Sequence, residues 1–262
     1  MAKKEKPISE GIKKNQSLRK ALQILEGMAR FHEPARLQDI AHGLRMPQST
    51  LLRFLNTFID FGYVSQDQET SCYYLTLKLA EIGSLVRDNF PFYNSLAKYI
   101  KQVSQKFNES ASLCIDNNMQ MLYINTRDSS SHMLRALHRI GCVAPMHATA
   151  AGKLHLLNYS DDMLAELESK IGFAKYTAHT ITSMDSLKKE ISQIRKQGYA
   201  LDNEEYEKGL RCVAVPVWNY SGEVTAAIGL SAPVTRMDRE RTEQIIQYLK
   251  NISAEASREL GG

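Results

Sequence analysis

The chain has 262 residues, 43% of them hydrophobic and 24% charged, enough to bury a sizeable core and too many for one small helical unit, so a second domain is expected. Its net charge of +4 is uneven: residues 1–60 hold 11 Lys and Arg against 6 Asp and Glu, and the remainder holds 22 against 23, a basic head on a neutral body that suits a polyanion partner. Cys72, Cys114, Cys142 and Cys212 lie far apart and indicate neither a zinc site nor a disulfide framework, while the absence of a long apolar run or an apolar signal core argues against membrane insertion and secretion and for reduced thiols in the cytoplasm.

Residues 1–15 form a polar, lysine-rich tail (Lys3, Lys4, Lys6, Lys13, Lys14) expected to be disordered, its charge no more than a solvated basic arm on its own. From Ser17, read as the helix cap, Leu18, Ala21, Leu22, Leu25, Met28 and Ala29 follow helical spacing, with Arg19 and Lys20 available for phosphates. Next, LQDIAHGLRMPQSTLLRFLNTFIDFGY over residues 37–63 reads as a short apolar helix, a break near Gly43 to Met46, and a longer helix begun by Pro47, which is a helix-turn-helix. Leu52, Leu55 and Ile59, flanked by Leu51 and Phe58, would pack inward. On the other side Ser49, Arg53, Asn56 and Asp60 fall in one line beside Thr50 and Thr57, with Gln48 opening the helix. Arg can bind guanine bidentately and Asn adenine likewise, so Arg19, Gln48, Ser49, Thr50, Arg53, Asn56 and Thr57 are the candidate contacts to double-stranded DNA.

Gly62 ends that helix, and YVSQDQETSCYYLTL then gives two short β-rich runs around a polar turn, a wing whose Tyr63, Tyr73 and Tyr74 are read as packing residues. Residues 16–78 are thus expected to form a winged helix-turn-helix and residues 79–91 a linker helix ending at Asn89, Phe90 and Pro91. In the region 92–262, Tyr93, Leu96, Ile100, Val103 and Phe107 fit either domain core or a partner-helix seam, and two heptads leave both open. Strand-like SLCIDN and MQMLYINT, helices near 147–157, 161–170 and 186–197, a hairpin of two strands joined by NYSG, and a final helix over 238–260 imply an α+β domain with a mostly antiparallel sheet.

Three motifs in this region, HATAAGKLHLL at 147–157, GYALDNEEYEKGLRCVAVPVW at 198–218 and SGEVTAAIGLSAP at 221–233, join SLRKALQILEGMA, LQDIA and QSTLLRFLNTFIDFGYV in the head. In that order and spacing they resemble the IclR family of transcriptional regulators over about residues 16–260. The resemblance implies a winged helix-turn-helix, a GAF-like α/β effector domain, a homodimer or dimer of dimers, and a small-molecule effector such as an organic, aromatic or sugar acid. It also implies Ala150, Ala151, Asp202, Leu210, Cys212, Gly229 and Ser231 as ligand contacts, the two alanines through backbone amides at a helix start. Gly229 stands where many members carry a hydroxyl, and Thr76 where glycine is frequent in the wing.

The expected function is a DNA-binding regulator, a repressor rather than an activator, whose operator binding is controlled by a small carboxylate; it is read as no enzyme and as needing no cofactor or metal. Two other classes compete. One is an enzyme using Cys212 or Asp202, although a strand cysteine is most often a small buried hydrophobe and nucleophilic work needs a base that only His147, His155 or His179 could provide. The other is an architectural DNA-binding protein. The acidic run Asp202, Glu204, Glu205 and Glu207 could suit a hard cation but reads first as a solvated turn, and His147 as a structural hydrogen-bonding residue.

Overall fold

The computed structural model describes residues 15–31, 33–88, 93–128 and 132–262, so the lysine-rich tail up to Lys14 and the break at Asn89, Phe90 and Pro91 lie outside the described residues. The chain separates into two compact units, divided between Val86 and Arg87.

The first unit opens with α1 (Gln16–Met28), α2 (Leu37–Gly43) and α3 (Gln48–Asp60). Asn15, rather than Ser17, caps α1, its side chain accepting from the Leu18 amide at 3.0 Å. Ile24 and Met28 of α1, Ile40 and Ala41 of α2, and Leu51 and Leu55 of α3 share one core with Val64 and Tyr73. The inward stripe of α1 therefore runs through Ile24, while Leu18 and Leu22 stay exposed, and that of α3 is centred on Leu51 rather than Leu52. Arg45, at φ 50°, makes the left-handed bend between α2 and α3.

A two-stranded antiparallel wing follows, β1 (Val64–Gln66) against β2 (Tyr73–Leu75). The Asp67 carboxylate closes its turn, accepting from the amides of Glu69 and Thr70 and from the Thr70 hydroxyl. Tyr73 is buried beneath the wing, whereas Tyr74 is exposed. Thr76, where the resemblance had favoured glycine, donates to the Gly62 carbonyl at 2.6 Å and accepts from the Lys78 amide, fastening the exit of the wing to the start of α4 (Lys78–Asp88).

The second unit is built on one antiparallel sheet of six strands in the order β5-β4-β3-β8-β7-β6, namely β3 (Ser110–Asn117), β4 (Gln120–Arg127), β5 (Val143–Pro145), β6 (Ala200–Asn203), β7 (Leu210–Trp218) and β8 (Val224–Pro233). The short edge strands β5 and β6 escaped the sequence pattern, being too brief to show alternation. Helices α5 (Tyr93–Phe107) and α9 (Arg239–Glu259) cover one face, where Leu96, Ile100 and Val103 settle α5 as domain core, packed on Leu113, Val213, Val215, Ile228 and Leu230. On the other face lie α6 (Ala150–His155), α7 (Asp161–Lys170) and α8 (Met184–Gln197).

The two faces differ in bulk. Toward α5 and α9 the central strands present mostly Val, Ile and Leu, with Ala111, Ala226 and Ala232 among them; toward α6 they present Ser112, Cys114, Cys212, Ala214, Ala227, Gly229 and Ser231. Small side chains on one side of a sheet leave room above it that larger ones would fill. Gly152 lets the connection from β5 fold tightly against the first turn of α6: a Cβ there would stand 2.5 Å from Thr149 Oγ1 and 2.6 Å from Met146 Cα.

Candidate nucleic-acid interface and ligand cavity

The reading helix α3 turns Leu51 and Leu55 into the first unit's core, and its opposite side is open. Gln48, Ser49, Arg53, Asn56 and Thr57 are exposed, as is Asp60, while Thr50 is half-buried. The Thr57 hydroxyl donates to the Arg53 carbonyl at 3.2 Å, so toward solvent it offers mainly an acceptor. The Arg53 guanidinium lies 5.9 Å from the centre of the Phe54 ring, which supports it without blocking its planar fork. Arg19 is exposed on α1. All seven candidate DNA contacts therefore lie wholly or partly open to solvent, and the guanidinium and amide stripe is not buried.

In the second unit a cavity of about 600 Å³ opens over the small-residue face of the sheet. It is lined by Ala150, Ala151, Asp202, Leu210, Cys212, Gly229 and Ser231, seven residues drawn from three separate motifs. Cross-strand register brings them together: Asp202 pairs with Cys212, Cys212 with Ser231, and Leu210 with Pro233. Ala150 and Ala151 begin α6, whose cap Thr149 accepts from the Gly152 amide at 3.2 Å; the amides before it have no carbonyl of their own helix to bond.

Other lining residues carried no motif. Ser112 pairs across with Gly229. Tyr123 of β4 stacks on His138 with ring centres 4.6 Å apart and planes 15° from parallel. Burial drives the His138 imidazole down to about 4, which keeps it neutral at physiological pH, and among the described residues its Nε2 has no hydrogen-bond partner. Three exposed cations, Arg135, Arg139 and Lys208, also line the cavity against a single exposed carboxylate, Glu207.

The acidic turn after β6 is not an ordinary solvated one. Asp202 and Glu205 are both buried. Asp202 Oδ1 accepts from the Glu205 amide at 2.7 Å and the Tyr206 amide at 3.4 Å, and burial pushes its carboxyl up to about 7 against the opposing pull of those amides. Glu205 binds Lys153 Nζ at 2.7 Å; Lys153, fully buried on α6, also reaches Glu190 of α8 at 3.1 Å. Burial raises the Glu205 carboxyl and the neighbouring ammonium holds it down. Lys153 sits inside the HATAAGK motif, yet its role depends on two partners distant in sequence. Among the described residues no His, Cys, Asp and Glu side chains cluster as a metal site.

Cys212 is poorly suited to nucleophilic chemistry. Its thiol receives the Ser231 hydroxyl at 3.1 Å, and burial first, then the adjacent Asp202, push its pKa well above the usual thiol value, so almost no thiolate forms. The histidines are committed elsewhere: His147 Nε2 to the Ala174 carbonyl at 3.0 Å, His155 to the Cys114 carbonyl, and His179 to the Asn203 carbonyl.

Two family profiles match this chain, one described as IclR helix-turn-helix domain over residues 17–68 and the other as bacterial transcriptional regulator IclR C-terminal over residues 86–258. The HTH-type transcriptional regulator KdgR of Escherichia coli is 33% identical over 94% of this chain and 92% of its own length. The chain belongs to the IclR family of bacterial transcriptional regulators. As an IclR-family protein it is a DNA-binding regulator of transcription with an effector-binding carboxyl-terminal domain, and it is not an enzyme. Among solved structures, that of Thermotoga maritima IclR superimposes with a TM-score of 0.78 at 27% identity, covering 94% of this chain and 99% of that one. An IclR homologue from Microbacterium hydrocarbonoxydans, complexed with 4-hydroxybenzoate, shares the fold with a TM-score of 0.78 at 19% identity, covering 93% of this chain and 98% of that one. Among the described residues no helix is long and apolar enough to cross a membrane.

Proposed function

We propose that this regulator is a cytoplasmic repressor whose hold on a palindromic operator is set by a small carboxylate in the cavity of the second unit, with Arg53 and Asn56 reading bases and Ser49, Thr50, Gln48, Thr57 and Arg19 supporting them. The observation that carries the reading is the meeting of Ala150, Ala151, Asp202, Leu210, Cys212, Gly229 and Ser231, from three distant stretches of chain, around one void. Its cations outnumber its exposed carboxylates and its interior mixes apolar walls with hydroxyls, as expected for a small acid. The 4-hydroxybenzoate complex of the Microbacterium homologue supports the same ligand chemistry. We further propose a homodimer, with dimers able to pair: Ile82, Leu85 and Val86 form an exposed apolar stripe on α4. The test is a melting screen of the purified protein against carboxylates, followed by operator-binding titrations with each hit. A ligand present at a hundred times its Kd raises stability by about 2.7 kcal/mol and is expected to weaken operator binding. A hit that tightens operator binding overturns release by the effector, hits that leave operator binding unchanged overturn its control by the cavity, and a screen without hits overturns the effector class.

A further inference from the structure

Between Leu37 and Leu77, the stretch that holds α2, α3 and the wing, lysine and arginine are represented by Arg45 and Arg53 alone. The wing has neither, and its turn is acidic through Asp67 and Glu69, so it repels phosphates rather than drawing them. Lys78, the next cation along the chain, donates to the Phe61 carbonyl at 2.7 Å and lies over the Tyr63 ring. Arg53 stands in the base-reading stripe of α3, which leaves the charge of Arg45 without a task.

Arg45 stands where α2 stops. Its amide donates to the His42 carbonyl at 3.1 Å, and the Met46 amide reaches back to the Ala41 carbonyl at 2.9 Å. This pair of bonds closes a helix through one left-handed residue, a place ordinarily taken by glycine because a Cβ crowds the backbone there. The arginine offsets that cost with nothing inside the protein: its side chain is exposed and, among the described residues, makes no hydrogen bond, ion pair or ring contact. Together with Gln38 and His42 of α2 and Gln48 at the start of α3, all four exposed, it lines one shallow hollow that no carboxylate enters. Gln48 is a candidate DNA contact, so a duplex lying against that end of α3 brings its backbone onto Arg45 as well.

We propose that Arg45 is a phosphate contact at the bend of the helix-turn-helix, fixing where α3 enters the groove, and that an arginine is kept at this left-handed position for the charge it places there. This rests on α3 being the helix that meets DNA.

The experiment takes the full-length protein, a duplex that it selects from a random pool, and a scrambled duplex of the same composition, titrated over a range of KCl concentrations. Removing one phosphate contact lowers the slope of log K against log salt by about 0.9 for each subunit bound. Arg45→Gly and Arg45→Gln are expected to show that drop and to weaken both duplexes by a similar several-fold factor, leaving their ratio nearly unchanged. Arg45→Lys, which keeps the charge, should hold the slope of the natural protein. Arg45→Gly should also melt no lower than the natural protein, since glycine is at ease at φ 50°, so its weaker binding is not a loss of folding. Should it melt lower, Arg45→Gln decides. A slope unmoved by the neutral variants, a loss confined to the selected duplex, or a lysine variant as weak as the glycine one overturns the inference, while discrimination lost in Arg53→Ala shows that α3 still meets DNA. Discrimination and slope untouched by all of these substitutions remove the assignment of α3 as well.

Discussion

Arg53 and Asn56 lie on α3 with no burial to hold them, and their value is entirely in what they meet outside the protein. Arg53→Ala is expected to cost about 1–3 kcal/mol of discrimination between operator and scrambled duplex while leaving non-specific, salt-dependent binding nearly intact; equal loss on both duplexes would make Arg53 a phosphate contact. Asp202 makes a different demand. Burial lifts its carboxyl to about 7 from 3.8, so between those values the folded chain keeps a proton that the unfolded chain has released. This group therefore opposes folding progressively as pH rises from about 4 to about 7, and by a constant amount above that. Subtracting the pH-stability curve of Asp202→Asn from that of the natural protein should give a difference that falls across this window and is level on either side. These two residues also mark the limits of reading from sequence. The exposed stripe of α3 was legible because helical periodicity fixes both faces once the apolar one is found; the burial of Asp202 and Glu205 was not, because four acidic residues in six ordinarily face water and the buried partner, Lys153, lies some fifty positions upstream.

At the level of elements, Lys153 ties α6 to α8 and to the turn after β6 through two carboxylates. Removing one partner of a buried ion pair costs more than the pair contributes, since the remaining charge is stranded. Lys153→Ala is expected to destabilise the protein by about 3–5 kcal/mol, seen as a lowered melting temperature, and Glu205→Gln in the same background should recover part of that loss. α4 offers a contrasting case. Its Ile82, Leu85 and Val86 face outward, and Leu85→Glu should lower the association state in sedimentation with little effect on the melting of either unit. Long periodic helices such as α5 and α9 and the hairpin of β7 and β8 were legible in the sequence because their patterns extend over many residues. Strands β5 and β6, three and four residues long, were not, since their existence is decided by the neighbours they pair with. The cavity itself left a trace: in LRCVAVPVW and VTAAIGLSAP larger apolar residues alternate with smaller ones, the smaller set facing the side on which the cavity opens.

For the whole molecule, the two units bind partners of different kinds, and any influence of one on the other is mutual. If an effector lowers operator affinity by a factor of about ten, operator must lower effector affinity by the same factor, a coupling of about 1.4 kcal/mol. Measuring effector binding with and without saturating operator checks this, and unequal factors would point to a change of association state between the two titrations. The division of bulk across the central sheet has a further consequence. On the central strands the bulkier residues face α5 and α9 while small ones line the void we propose for the effector, so exchanging those small side chains should alter the shape of the void while the packing toward α5 and α9 is left as it is.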